Sequence, residues 1–218
     1  TITAEDNITS NLVFYTNPQS RSVIAHWMLE ELGEPYETVW LEYLTSMKSP
    51  EFLQINPLGK VPALTHNGAV ITETAAICAY LATSFPEKQL MPSPDSAQLG
   101  NYFRWLFFAS GPFEMAITVK SMQWPVKEEN TRSLGFGTFD AALDVLESAL
   151  SPGPYICGAQ FTAADVYVGS HLDFAMQFGN LDKRASFESY VDSLKERPAY
   201  QRTQEICQQQ VQQTDSQE

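Results

Sequence analysis

The chain has 218 residues, 44% of them hydrophobic and 12% aromatic, which is ample for a buried core and too aromatic for a disordered chain. Thirteen Lys and Arg against 26 Asp and Glu leave a net charge of −13, a field that repels nucleic acid and anionic membrane surfaces, since both bind through neutralised phosphates. No apolar run approaches the roughly 18 to 20 residues that cross a bilayer, and three Cys without a CxxC pair, with three scattered His, give no pattern for a disulfide framework or a metal site.

The first stretch, TITAEDNITSN, lacks a basic region followed by an apolar run, so no signal peptide is expected, and the sequon Asn7-Ile8-Thr9 carries little weight. A short strand is predicted over Asn11–Tyr15, ending in the turn Thr16-Asn17-Pro18-Gln19. Val23, Ile24, Trp27, Met28 and Leu32 recur at helical spacing over Ser20–Leu32, and Gly33 supplies a C-cap. Tyr36–Trp40 alternates as a half-buried strand does. A short helix around Ser49–Gln54 and the turn Asn56-Pro57-Leu58-Gly59 come next. Val61–Thr65 and Ala69–Ile71 read as a hairpin around Asn67-Gly68, after which Thr72 is expected to cap a helix from Glu73 to about Ser84.

Three prolines and no periodicity mark residues 85–97 as a linker. Beyond it the chain reads as helices over 98–122, 127–150, 163–177, 184–196 and 198–209, with residues 211–218 as a disordered tail. Phe161-Thr162-Ala163-Ala164-Asp165-Val166 has Thr at the N-cap, Asp at N3 and a Phe161–Val166 staple, so it orients a helix and carries no chemistry.

Ligands in such folds sit at strand ends and helix N-termini, where free N–H groups and the helix dipole favour an anion. Three segments meet that description. In Tyr15–Arg21, Ser20 can donate a hydrogen bond to an anion and Arg21 can add charge, or the two are an N-cap and a surface residue. Lys60-Val61-Pro62 opens a strand at its edge, and a cis bond before Pro62 would turn the Val61 backbone toward a peptide-like ligand. In Thr72-Glu73-Thr74, Glu73 can accept from an ammonium group and Thr74 can hold a carboxylate.

Together, Asn56-Pro57, then Gly59-Lys60-Val61-Pro62-Ala63-Leu64, then Ile71-Thr72-Glu73-Thr74 resemble the glutathione-binding core of cytosolic glutathione S-transferases. Tyr155-Ile156, Gly158, Phe161-Thr162, Ala164-Asp165 and the closing Arg197-Pro198-Ala199-Tyr200 fit the helical domain of that family, so the resemblance runs over about residues 10–205. It implies an α/β thioredoxin-like domain over 10–86 packed on an all-α domain over 95–210, as a cytoplasmic homodimer. It also implies that Arg21, Lys60, Val61, Pro62, Glu73 and Thr74 bind glutathione as co-substrate, with no metal. The thiolate would then be transferred to a hydrophobic electrophile in a detoxifying reaction, with peroxidase chemistry as a side activity.

Classes of the family place Tyr, Ser or Cys near the end of the first strand. Ser20 is the first expectation for the thiol-activating residue, Tyr15 the second and Asn17 the third, and the absence of Cys from Tyr15–Arg21 weighs against mixed-disulfide chemistry. In the aromatic run 103–115, Phe108, Phe113 and Met115 are the expected lining of the electrophile cleft. A thiol–disulfide or dehalogenating enzyme, and a non-catalytic binding or regulatory module, are the competing readings on the same scaffold.

Overall fold

The structure, a computed structural model, describes residues 11–216; the Asn7 sequon and Thr1–Ser10 lie outside them, as do residues 217–218. The N-terminal half runs β1 Leu12–Thr16, α1 Val23–Leu32, β2 Glu37–Trp40, α2 Pro50–Ile55, β3 Ala63–His66, β4 Ala69–Thr72 and α3 Thr74–Ser84. Among the described residues the strands form one four-stranded sheet in the order β2-β1-β3-β4. β1 pairs in parallel with β2 (Val13 opposite Glu37) and antiparallel with β3 (Tyr15 opposite Ala63), which pairs antiparallel with β4. The hairpin turn is Asn67-Gly68 as expected, both at positive φ (50° and 83°), the conformation a two-residue turn between twisted strands requires. This is the expected thioredoxin-like sheet.

The second half is helical: α4 Leu99–Phe108, α5 Glu114–Ser121, α6 Phe139–Leu150, α7 Ala163–Gln177, α8 Ala185–Lys195 and α9 Pro198–Asp215. Four expectations about these elements change. Thr72 belongs to β4, and the residue preceding α3 is Glu73, at φ 68° with no side-chain cap bond. The helix expected over 98–122 is broken by a wide π-type turn at Ala109–Phe113, where Pro112 has no N–H to give the ladder. Residues 127–138 are not part of α6: a 3-10 turn at Glu128–Ser133 leads to Gly137 at φ 66°, and Thr138 caps the helix by accepting from Ala141 N–H. Residues 211–215, expected as tail, continue α9, and the Thr214 and Ser216 hydroxyls donate to the Gln210 and Gln212 carbonyls at 3.0 and 2.7 Å. A long helix docked through Thr203 and Cys207 propagates outward at little cost in Gln-rich sequence.

α7 is the central post, buried along nearly its whole length. The predicted capping box is present, and it does more than cap. Asp165 accepts from Thr162 N–H at 2.9 Å, Ile156 N–H at 2.8 Å and Tyr190 O–H at 2.7 Å, tying the loop before α7 and helix α8 to one carboxylate. α8 approaches so closely that a Cβ on Gly169 would lie 2.3 Å from Leu194 Cδ1.

The two halves share α1. Trp27 packs edge-on to Tyr200 at 5.1 Å and against Phe161 at 6.2 Å, while Arg197 grips Glu31 with two bonds of 2.7 and 2.9 Å. The linker is held as well: Leu90 C=O accepts from Ala163 N–H, and Gln160 donates to the Gln89 and Met91 carbonyls.

Candidate active site

Between the sheet domain and α4, α5 and α7 lies a cavity of about 800 Å³. One wall is the edge leading into β3. Asn56 fixes it, donating to Lys60 C=O at 2.7 Å and accepting from Leu58 N–H at 3.2 Å. Lys48 reaches the Leu58 and Gly59 carbonyls from below. Lys60, Val61 and Pro62 then face the cavity, and the Val61–Pro62 bond is cis, as expected.

Glu73 and Thr74 form the next part of the wall, at the N-terminus of α3. A non-glycine residue at φ 68° and ψ 119° costs on the order of 1–3 kcal/mol and persists where its surroundings over-determine it, commonly at ligand clamps. Neither the Glu73 carboxylate nor the Thr74 hydroxyl has a hydrogen-bond partner among the described residues, so both are free for a ligand. Ala75, Ala76 and Ala79 continue this face with small side chains that leave room for it.

The opposite wall consists of Phe103, Leu106, Phe107, Ser110 and Glu114, with Tyr167 and His171 from α7. Glu114 forms an ion pair with Arg21 from the start of α1, linking the two domains beside the cavity. Burial holds His171 down to about 4, so its imidazole is neutral, and burial with the nearby Glu114 charge pushes the Tyr167 phenol well above its ordinary range. Two cations, Arg21 and Lys60, and two anions, Glu73 and Glu114, therefore line one cavity in a chain of net charge −13. That is a balanced site, suited to a zwitterion.

Six predicted residues are brought together here: Arg21, Lys60, Val61, Pro62, Glu73 and Thr74. The three candidate thiol activators are not among the lining residues. Tyr15 lies on the other face of the sheet, its ring 5.7 Å from Phe52 in a small cluster with Leu41 and Met47. Asn17 is buried and committed, donating to Leu41 C=O at 2.7 Å and accepting from Gln19 N–H. Ser20 donates to Asn17 C=O at 2.9 Å, accepts from Ser22 N–H and lies 2.5 Å from the Ser22 hydroxyl. In that knot of bonds, the Arg21 backbone N–H is left without a partner among the described residues.

The helical wall of the cavity also differs from the lining expected from sequence. Phe113 is fully buried in the core, Phe108 packs between that core and the cluster around Phe136, and Met115 faces solvent. The cavity takes Phe103, Phe107, Ser110 and Glu114, whose i, i+4, i+7, i+11 spacing keeps one helical face toward the sheet domain. That periodicity could have found them. Tyr167 and His171 gave no such signal, because their helix reads as core throughout.

Family models for the glutathione S-transferase N-terminal domain and C-terminal domain match residues 20–84 and 129–202. The chain belongs to the glutathione S-transferase family. Glutathione S-transferase GstA of Escherichia coli O157:H7 is 28% identical over 193 residues, 87% of this chain and 94% of that protein. A glutathione transferase crystal structure from Methylococcus capsulatus is 29% identical, with a TM-score of 0.73, over 90% of this chain and 98% of that one. A sphingomonad glutathione S-transferase complexed with glutathione is 26% identical, with a TM-score of 0.72, over 89% and 98%. In this glutathione transferase, Arg21, Lys60, Val61, Pro62, Glu73 and Thr74 line one cavity between the two domains.

Proposed function

We propose that this glutathione transferase binds glutathione along Val61 and Pro62 and transfers its thiolate to an apolar electrophile held against Phe103 and Phe107. The observation that carries this reading is the assembly of Lys60, Val61, Pro62, Glu73 and Thr74 from two separate loops on one cavity wall. Val61 offers its backbone to the cysteinyl unit, Glu73 accepts from the γ-glutamyl ammonium, and Thr74 at the α3 dipole receives the neighbouring carboxylate. Lys60 neutralises a second carboxylate.

The thiol is activated by Arg21, through its unpartnered backbone N–H and the guanidinium beside it. A thiolate near a cation and a helix N-terminus titrates well below the free value of about 8.5. The test is the ultraviolet absorbance of the bound thiolate across pH. Wild type should show it at least about one pH unit below free glutathione, and Arg21→Ala should move it back by about one unit. If Arg21→Ala leaves the titration in place while Ser20→Ala moves it, the hydroxyl first expected from sequence is the activator instead.

Chemistry through an enzyme cysteine finds no support: burial pushes Cys78 up to about 12 and Cys157 and Cys207 up to about 11, and none lines the cavity. Three buried, unpaired thiols fit a cytoplasmic protein. A homodimer would cover apolar side chains left bare in the β2–α2 loop, where Leu44 is 87% exposed beside Tyr43. Light scattering that returns a monomer at all concentrations would remove that part of the reading.

A further inference from the structure

Arg21 is a long side chain with little to hold it. Its guanidinium is 63% exposed, and among the described residues its one hydrogen-bonding partner is the Glu114 carboxylate, which has no other. An ion pair this exposed adds little to stability, so stability gives no reason for placing it on the cavity wall. The two groups come from different domains: Arg21 stands in the turn before α1, and Glu114 opens α5. α5 starts where the π-type turn at Ala109–Phe113 ends, anchored by the fully buried Phe113. Wide turns of this kind interrupt helices often at functional sites, and this one delivers a carboxylate to the cavity.

We infer that Glu114 is a positioning residue for the bound glutathione thiolate, a role that rests on the activation by Arg21 proposed above. It holds the guanidinium over the cavity, so the helical domain completes an activating site whose other parts belong to the sheet domain. A free arginine side chain keeps many rotamers, and fixing it costs conformational entropy that a single partner offsets here. The other titratable groups on the cavity do not take over this task. Lys60 and Glu73 line the sheet-domain wall, and neither bonds to Arg21. Tyr167 and His171, from α7, stay neutral, because burial raises the phenol and lowers the imidazole to about 4.

The sign of the effect separates this role from simple charge compensation. Glu114 is itself an anion, and removing its charge alone would favour a nearby thiolate and lower the pH at which it appears. Removing the tether instead lets the guanidinium drift into water, the thiolate loses a cation, and that pH rises. An exposed pair favours the held arrangement by a factor of a few. The expected rise is therefore about half a pH unit, roughly threefold in the acid constant of the thiol.

The test is the ultraviolet titration of glutathione bound to the full-length protein, in wild type, Arg21→Ala, Glu114→Ala and the double variant, with glutathione affinity measured by calorimetry. Glu114→Ala is expected to raise the thiol titration by about half a unit, and Glu114→Asp, which keeps the carboxylate, to recover part of it. In the Arg21→Ala chain, Glu114→Ala should raise it no further. A titration left in place or lowered by Glu114→Ala overturns the inference. So does an equal rise with and without Arg21, since the carboxylate would then act on the thiol without the guanidinium. Glutathione binding lost in Glu114→Ala but kept in Arg21→Ala overturns it too, by assigning Glu114 to the peptide itself. If wild type binds no glutathione, or Arg21→Ala leaves its thiolate in place, the activation reading falls and takes the inference with it.

Discussion

Removing the carboxylate of Asp165 should come close to unfolding the protein. The side chain is fully buried and accepts from Ile156 N–H at 2.8 Å, Thr162 N–H at 2.9 Å and Tyr190 O–H at 2.7 Å. Asp165→Ala orphans all of these donors in an interior that offers no substitute, and each orphan costs about 1–3 kcal/mol. Allowing for water entering the space, the loss comes to about 5 kcal/mol, against a total stability of about 5–15 kcal/mol for a domain. Burial pushes this carboxyl up to about 6 against the pull of its hydrogen bonds, so its charge is held at a cost. Asp165→Asn drops the charge and keeps one acceptor, and should lose clearly less than Asp165→Ala. Urea unfolding followed by circular dichroism measures both differences. A loss below about 1 kcal/mol for Asp165→Ala would refute the reasoning, since it would mean that the donors find partners elsewhere.

Three further outcomes follow from single contacts. Tyr102 is fully buried with its hydroxyl unbonded, so Tyr102→Phe should leave stability unchanged or raise it by about 1 kcal/mol in the same urea assay. Gly169→Ala places a methyl 2.3 Å from Leu194 Cδ1 and should cost about 1–3 kcal/mol, which Leu194→Ala in the same chain should partly relieve. Burial depresses His26 and His171 to about 4, below the unfolded value of 6.5. Between those two pH values the unfolded chain takes up protons that the folded one refuses, so stability is fully present above pH 6.5 and is lost as pH falls toward 4. Relative to His171→Leu, wild type should lose up to about 3 kcal/mol over that interval, and a His171 ring resonance titrating near 6.5 in the folded protein would contradict it.

The wall formed by Lys60, Val61, Pro62, Glu73 and Thr74 was legible because its parts are short local strings. Pro62 after Val61, and Glu73-Thr74 where a strand gives way to a helix, announce backbone geometry within a few residues. The helical wall depends on how a helix is turned: Phe103, Phe107 and Phe108 all belong to α4, before the π-type turn at Ala109–Phe113, and neighbouring positions on it face different ways. So Phe108 and Phe113 went to the core and Phe103 and Phe107 to the cavity. Ser20 was a reasonable expectation from position, but its hydroxyl is spent on Asn17 and Ser22, a competition visible only when the turn is folded. Tyr167 and His171 could not be separated from core residues, because the helix that carries them is buried along nearly its whole length.

The shared helix α1 has a consequence for how the molecule comes apart. One of its faces completes the sheet domain, and another carries Trp27 and Glu31 into Phe161, Tyr200 and Arg197. A cut in the linker would leave each half with a raw apolar surface where the other had been, and neither would be a self-sufficient folding unit. Melting should therefore be a single concerted event, with tryptophan fluorescence and backbone dichroism lost together. The two walls of the cavity therefore stand or fall together in unfolding.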